Sequence, residues 1–480
     1  MPAKGRWKVP MNMLLRALKR HRTALTISVL RVLLYGGMMV IFFGLMAIHN
    51  IGLHNPSRTM ATTLLTYWAM TFAMSSVYGG YDVGRRKSKP IISGLSLAVI
   101  VTDAVTYLQL QIMNVNENNN DYLVLFGPDF WLLLLCILLQ ILFIVFMAYQ
   151  GNAAFFRLNP PQDCLLVLGD ESRREGCERK IGRYKLQWKV TDVALWDAPD
   201  LRQRIDAAQV VFLDSEIPGQ AKHNLLKTCY DLRRDVLCKA QLQDIMLSSA
   251  RQVVIDDAPF LEMDYRKMTL GQRIGKRLMD ILVSSVVLTV LSPVLGVIAL
   301  CIHLEDGGPA IFRQTRMTVA GHTFTIYKFR TMRKDASRDE PEVSVTRDDP
   351  RITRVGRVLR RWRLDELPQL WNILKGDMTL VGPRPEMLEN VERYKLELPA
   401  FVYREKMKAG LTGYAQIEGR YNTTPEDKLM LDLMYIESFS LWEDVKLLFR
   451  TFTVFFKADS TQGFAETAPS EDDGHRDISA

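Results

Sequence analysis

The sequence predicts a membrane-bound chain in three parts: a four-helix transmembrane region over 1–150, a small α/β domain over 160–258, and a second α/β domain over 265–457 whose apolar segment, 278–304, enters the bilayer and returns. Three observations predict it. Five apolar segments each approach the ~20 residues that cross a hydrocarbon core. The stretch between the fourth and the fifth alternates short β-rich runs with amphipathic polar ones. The fifth has a serine and a proline at its middle and basic residues on both flanks. Composition agrees: 48% hydrophobic and 24% charged residues are too apolar for a disordered chain and too charged for one buried in lipid throughout.

The first four segments run roughly over 24–48, 60–80, 91–113 and 130–150. Met1 to Arg22 carries seven Lys or Arg and no acid, and the 81–90 loop holds Arg85, Arg86, Lys87 and Lys89. The 49–59 loop has only Arg58, and 114–129 has Glu117, Asp121 and Asp129 with no base. The positive-inside rule then puts the N-terminus in the cytoplasm, and four crossings return the chain there near residue 151. A cleaved signal peptide does not fit the first segment, which is too long and has no small-residue cleavage site after it. Arg31 and Asp103 lie within these spans, as an ion pair or as polar positions facing other helices. The formal net charge of +8 is mostly this basic arm, which argues against a nucleic-acid face. Six cysteines with no CxxC pair argue against zinc or a disulfide framework and for a reducing compartment.

From 160 to 258, the runs Cys164–Leu168, Leu186–Val190, Val210–Leu213 and Val253–Ile255 suggest a parallel sheet. Gly169-Asp170-Glu171 follows the first run but lacks the other glycines of a dinucleotide turn, so a Rossmann-like fold is expected, and the sequence identifies no ligand for it. In the fifth segment, Pro293 has no N–H and its ring crowds the carbonyl of Thr289, so a break is expected at Ser292-Pro293. Arg266, Lys267, Arg273, Lys276 and Arg277 precede it, and Arg313, Arg316, Lys328, Arg330, Arg333 and Lys334 follow. Positive charge at both ends favours a re-entrant helix over a crossing one. Asp280, near its entrance, is expected to cap or to pair with the basic flank.

The chemistry-bearing residues come after this segment. In Phe324–Arg330 the strand period puts Lys328 and Arg330 on one face, suited to binding phosphate. Arg354, Arg357 and Arg360 recur every three residues and form a cationic ridge on a helix, with solvent or lipid headgroups as the plainer surroundings for the first two. Leu364–Asp377 contains Pro368 and Gly376, which predict a short helix over 367–375 with Asp365 and Glu366 at its N-terminus. Backbone N–H groups there favour negative charge. Two adjacent carboxylates suit a division of labour, one attacking phosphorus and the other holding a metal, and simple N-capping is the plainer alternative. A strand over Met378–Val381 then leads to Gly382-Pro383-Arg384-Pro385, a rigid turn that presents Arg384 for bidentate phosphate binding.

The motifs KFRTM (328–332), DPRITRVG (349–356), DELPQ (365–369), KGDM (375–378), VGPRP (381–385) and AGLTGYAQIEGR (409–420) together resemble the bacterial sugar transferase family, the monotopic phosphoglycosyl transferases. The resemblance covers about 270–457; the four helices and the α/β domain ahead of it match large members in architecture. It implies transfer of a hexose 1-phosphate from a UDP-sugar to polyprenyl (undecaprenyl) phosphate at the bacterial inner membrane, with catalysis on the cytoplasmic side, as the first membrane step of a surface polysaccharide such as an exopolysaccharide, capsule or O-antigen. By position it makes Asp365 the nucleophile, Glu366 the Mg2+-associated carboxylate, Arg360 and Arg384 phosphate contacts, and Ser292 and Pro293 the helix break. The motif that usually reads Gly-Leu-Trp-Gln-Val is Gly413-Tyr414-Ala415-Gln416-Ile417 here, which leaves the sugar open. Membrane lipid is an expected partner and a homo-oligomer is compatible with the sequence. The tail, 458–480, is acidic and polar and expected to be disordered. A catalytically inactive nucleotide sensor or assembly scaffold is the competing reading, and the intact Asp365-Glu366 pair weighs against it.

Overall fold

The structure, a computed structural model, describes residues 11–84, 87–117, 123, 125–263, 268–334, 349–419 and 423–454. The first ten residues of the basic arm, Arg85, Arg86, Arg266, Lys267, Arg420 and the tail over 458–480 lie outside the described residues. The chain divides into two units, Met1–Ala240 and Gln241–Ala480.

The first unit opens with four helices, α1 (Met11–Met46), α2 (Arg58–Tyr78), α3 (Ser88–Glu117) and α4 (Pro128–Leu158). Helix α2 packs on α3, and α1 and α3 pack on α4. Leu34, Met38, Leu95, Val99 and Ile144 fill the inside, while Val32, Leu65, Phe72 and Phe146 face outward. Outward apolar side chains on long helices are what lipid requires. Helices α1, α3 and α4 are long and apolar enough to cross a membrane, and α2 falls short of that standard. Its buried stripe explains why: Thr59, Thr63, Tyr67 and Thr71 recur every four residues and turn into the bundle, so the polarity that lowers its hydropathy is inside. Arg31 pairs with Asp82 at 3.3 Å, while Asp103 is fully buried against Cys136 at 3.6 Å, so these two do not pair with each other. Helix α4 continues to Leu158, beyond the expected boundary at 150.

Next comes a parallel sheet of β1 (Gln162–Leu168), β2 (Trp188–Leu195), β3 (Val210–Leu213) and β4 (Asp235–Cys238), in the order β2-β1-β3-β4. Helices α5 (Arg174–Gly182), α6 (Leu201–Ala207) and α7 (Gly219–Asp231) connect the strands. Gly169 is needed for packing: a Cβ there would lie 2.5 Å from the Glu216 carbonyl carbon. The close approach that a nucleotide-binding glycine gives a pyrophosphate is used here by the chain itself. Val253–Ile255 is not a strand of this sheet. It belongs to β5 (Arg251–Ile255), which pairs antiparallel with β6 (Ala258–Glu262) across Asp256 and Asp257, both at positive φ. Together with α8 (Leu242–Ser248), this hairpin falls in the second unit, where Ile245 enters the main core. The α/β domain therefore ends near Ala240 rather than at 258.

The second unit is built around α9 (Leu270–Asp306), a single helix of 37 residues with Pro293 inside it. Its entrance is tied to the domain by buried polar contacts: Lys276 donates to Asp444 at 2.5 Å and to the Val381 carbonyl at 2.9 Å, and Arg277 donates to the Ile373 and Leu374 carbonyls. Asp280 accepts from the Thr379 hydroxyl and the Leu380 N–H. At the other end, Ile298 and Ile302 pack with Phe329 and Leu359, and Asp306 pairs with Arg330. Between these ends Val286, Val290, Val294 and Val297 are exposed. Strands β7 (Ile311–Met317) and β8 (Thr323–Phe329) form an antiparallel pair, followed by α10 (Arg354–Arg361), a 3-10 turn over Leu364–Glu366, α11 (Gln369–Lys375) and β9 (Thr379–Val381). Helix α12 (Leu388–Glu397), a 3-10 segment over Pro399–Lys406, β10 (Gly410–Thr412, parallel to β9), and helices α13 (Tyr414–Glu418), α14 (Pro425–Glu437) and α15 (Leu441–Val454) complete it. Ile326, Ile373, Val381, Phe401 and Leu433 make the centre of one core.

Candidate active site

Asp365 and Glu366 occupy the 3-10 turn one step ahead of α11, which begins at Gln369 rather than 367. The turn is entered through Arg363, a non-glycine residue at φ 51°, a conformation that costs free energy and persists where surrounding structure enforces it. Gly376, at φ 94°, ends α11. Fully buried Asn372 fixes α11 to the strands, donating to the Thr325 carbonyl at 2.7 Å and accepting from the Tyr327 N–H at 3.0 Å. The edge of β8 is thereby satisfied by a side chain, and its Lys328 is brought to the carboxylates.

Glu366 collects the cations. Arg384 lies 3.2 Å from its Oε1, Lys328 3.6 Å from the same oxygen, and Arg363 4.0 Å from Oε2. Burial by itself would raise the Glu366 carboxyl, but Arg384, Lys328 and Arg363 outweigh it and hold Glu366 ionised, well below the usual carboxylate range. Asp365 goes the other way. Burial and then the charge of Glu366 push its carboxyl up to about 6, against the pull of Lys328 and Arg360. Neighbouring carboxylates driven apart in this manner take different roles at one pH. Lys328 is lowered, mainly by burial.

The arginine in the Gly382–Pro385 turn is held from behind. A Cβ on Gly410 would lie 2.1 Å from the Gly382 nitrogen, so the turn and β10 meet only because glycine stands there. The Arg384 carbonyl accepts from Arg404 at 2.8 Å, and Arg404 pairs with buried Asp432 at 2.7 Å. Glu386, next to the turn, is bound by Lys428 at 2.9 Å.

The structure gathers Asp365, Glu366, Lys328, Arg360 and Arg384. Arg360 donates its Nε–H to Thr331 at 2.8 Å and acts on Asp365 electrostatically, while Arg354 and Arg357 face outward. Arg330 goes elsewhere: β8 ends at Phe329, the face shared with Lys328 ends with it, and Arg330 pairs with Asp306 at the close of α9. Ser292 and Pro293 lie within α9, where the Ser292 hydroxyl donates to the Thr289 carbonyl at 2.8 Å. Two cations were not singled out by the motifs. Arg363 has no sequence signal, and in the sequence Arg316 is only one of the basic residues that follow the apolar segment; in the structure β7 pairs with β8 so that Phe312 faces Lys328 and Arg316 faces Phe324, which puts Arg316 and Lys328 on one sheet face.

Among the described residues no group of three or more His, Cys, Asp or Glu forms a metal cage. The oxygen donors present still fit magnesium, which takes one or two carboxylates and completes its shell with substrate phosphates and water.

The site is thus a carboxylate pair inside a cationic cradle, on an α/β domain that carries a long apolar helix. Residues 271–458 match the family model described as bacterial sugar transferase. A UDP-glucose:undecaprenyl-phosphate glucose-1-phosphate transferase of Caulobacter vibrioides is 41% identical over 38% of this chain and 71% of its own length. One of the same description from Escherichia coli is 42% identical over 37% of this chain and 39% of its own. A UDP-N-acetylgalactosamine-undecaprenyl-phosphate N-acetylgalactosaminephosphotransferase of Aeromonas hydrophila is 41% identical over 37% of this chain and 42% of its own. The chain belongs to the bacterial sugar transferase family, and its match spans less than half the length of the Escherichia coli and Aeromonas relatives.

Proposed function

We propose that this protein transfers hexose 1-phosphate from a UDP-sugar to undecaprenyl phosphate, the donor and acceptor classes named for its relatives. The observation that carries the reading is the split pair: Glu366 is engaged by three cations, while Asp365 stands beside them at the turn with no ion-pair partner among the described residues. An Asp365 carboxylate oxygen attacks the β-phosphorus of the UDP-sugar. The bond from that phosphorus to the bridging oxygen breaks, and UMP leaves. An oxygen of the lipid phosphate then attacks the same phosphorus, freeing Asp365 and forming undecaprenyl diphosphate hexose. Two steps let one site take a soluble donor and a membrane acceptor in turn. Lys328, Arg360 and Arg384 balance charge on the transferring phosphoryl group, where most of the stabilisation in this chemistry arises. Glu366 would hold magnesium, which supplies further charge neutralisation at the phosphates when bound.

The same reading makes α9 re-entrant. Both its ends are held by one α/β domain, whereas a crossing helix has its ends on opposite sides of the bilayer. The break expected at Ser292-Pro293 is not an interruption, since α9 runs as one helix through both residues, and Pro293, which removes one helical hydrogen bond, is a place for the helix to bend. The catalytic domain and the N-terminus then lie on the cytoplasmic side of the inner membrane, where UDP-sugars are found, and the product begins a surface polysaccharide. Membranes containing the protein, given undecaprenyl phosphate and a panel of UDP-hexoses, are expected to release UMP with at least one. Failure with every donor overturns the transferase reading. Cysteines placed at 305–310 are expected to resist labelling from the periplasmic side, and labelling there in intact cells would mean that α9 crosses.

A further inference from the structure

Arg316 is half-buried in the active-site cradle and its positive charge is not matched. Its guanidinium donates to Gln314 at 2.7 Å and, at 3.5 Å, to the Pro385 carbonyl, both neutral, and its buried Nε–H has no hydrogen-bond partner among the described residues. Among the described residues no carboxylate stands at ion-pair distance from it. The charges that act on it are Arg384 first, then Glu386, Glu389 and Glu366; Glu366 is shared by Arg384, Lys328 and Arg363, Glu386 is bound by Lys428, and Glu389 acts from beyond ion-pair distance. Burial, and next the like charge of Arg384, lower the Arg316 guanidinium to about 10. A half-buried arginine beside another arginine, with an idle N–H, is costly unless an anion completes the set.

We infer that Arg316 is a phosphate ligand of this site, the guanidinium hydrogens not given to Gln314 and Pro385 binding an oxygen of a substrate phosphate. Among the described residues Lys328, Arg316, Arg360, Arg363 and Arg384 stand around Asp365 and Glu366, with Glu389 farther out and Glu386 bound by Lys428, and the excess positive charge at the pair matches a diphosphate or a phosphate monoester rather than a neutral sugar. The pairing of β7 with β8 fixes where Arg316 points: backbone bonding to Lys328's strand sets its face, and Gln314, two residues back, holds one end of the guanidinium. The inference rests on the transferase reading, and the donor and acceptor phosphates are its two chemical sources.

The test uses the full chain with Arg316→Gln and Arg316→Lys, assayed separately for adduct formation from the UDP-sugar and for transfer to undecaprenyl phosphate. Arg316→Gln is expected to raise KM about 10- to 100-fold for one of them, as loss of a charged hydrogen bond does. The half-reaction affected identifies the phosphate. Arg316→Lys, which keeps the charge without the fork, is expected to recover part of the loss, and added guanidinium is expected to restore Arg316→Gln, which a merely structural role would not allow. Variants that match wild-type thermal stability and keep both KM values within twofold overturn the assignment. Should Arg316→Gln fail to fold, a fully active Arg316→Lys without any change in KM overturns it too. Wild-type protein that releases no UMP refutes the transferase reading itself, a result distinct from either of these.

Discussion

At the carboxyl ends of β1 and β3 one arginine serves two acids: Arg173 reaches Asp214 at 3.2 Å and Glu216 at 2.5 Å, while Asp170 accepts from the Ser172 N–H. Around Asp365 and Glu366 several cations serve two acids, and one of them, Arg316, has no acid at ion-pair distance among the described residues. Both clusters mix arginine with carboxylate near the ends of strands. In the first, both acids have the arginine as partner and the cluster is closed, with the Asp214 side chain 1% exposed and Gly169 packed against Glu216. The second is left cationic. Acids that find their cation within the domain hold the fold together, whereas a cation without an acid in a half-buried place is kept for a ligand that arrives with the opposite sign.

The largest expected effect separates the two clusters outright. Asp365→Asn is expected to lower UMP release by at least about 10³-fold and to abolish any phosphosugar adduct seen by mass spectrometry, because an amide is no nucleophile. An adduct on another residue, or normal turnover, would move the reaction away from this aspartate. Next comes a matched pair inside the catalytic domain itself. Lys276→Met leaves Asp444 buried with its cation gone, and the expected cost is about 3–5 kcal/mol of stability, read by thermal unfolding. Soluble, folded Lys276→Met protein with a raised KM but an unchanged melting temperature would make this pair part of the site instead.

A pH profile sharpens the contrast further. Asp365 is raised to about 6, so the acid limb of kcat/KM is expected near pH 6 rather than near the 3.8 of an ordinary aspartate. Below the limb the carboxyl is protonated and cannot attack; above it the rate levels off. Glu366→Gln removes a repelling charge, and the limb of its residual activity is expected to move to lower pH. A limb that stays in place would show that the two carboxylates do not interact. The smallest effect belongs to the closed cluster: Arg173→Ala is expected to cost about 1–3 kcal/mol by leaving Asp214 without its partner, with KM for the UDP-sugar unchanged. A change in KM there would give the α/β domain a share in donor binding.

Much of the candidate site was legible because its residues announce themselves locally. Pro368 and Gly376 bracket a short helix, the acidic pair precedes it, and two prolines flank Arg384. Arg330 was misplaced for a physical reason: strand alternation holds only while the strand lasts, and β8 stops at Phe329. Val253–Ile255 has the composition of a sheet strand, but its neighbour across Asp256-Asp257 pairs with it first. Two aspartates at positive φ give a weaker hairpin signal than Asn-Gly or Asp-Gly. Arg363 could not be read at all, since nothing in an arginine side chain marks a left-handed backbone.

By itself the sequence determined where the apolar segments run, which acids adjoin a helix start and which turn is rigid, because each is a property of a few consecutive residues. Only the tertiary structure decided that both ends of α9 rest on one domain, that Gly169 serves packing, and that Arg316 of β7, Lys328 of β8, Arg363 of the turn and Arg384 beyond β9 surround the same pair of carboxylates. The excess of positive charge at the site is a sum over elements far apart in the chain. Electrostatic energy depends on distance and burial in space, and no stretch of sequence contains either.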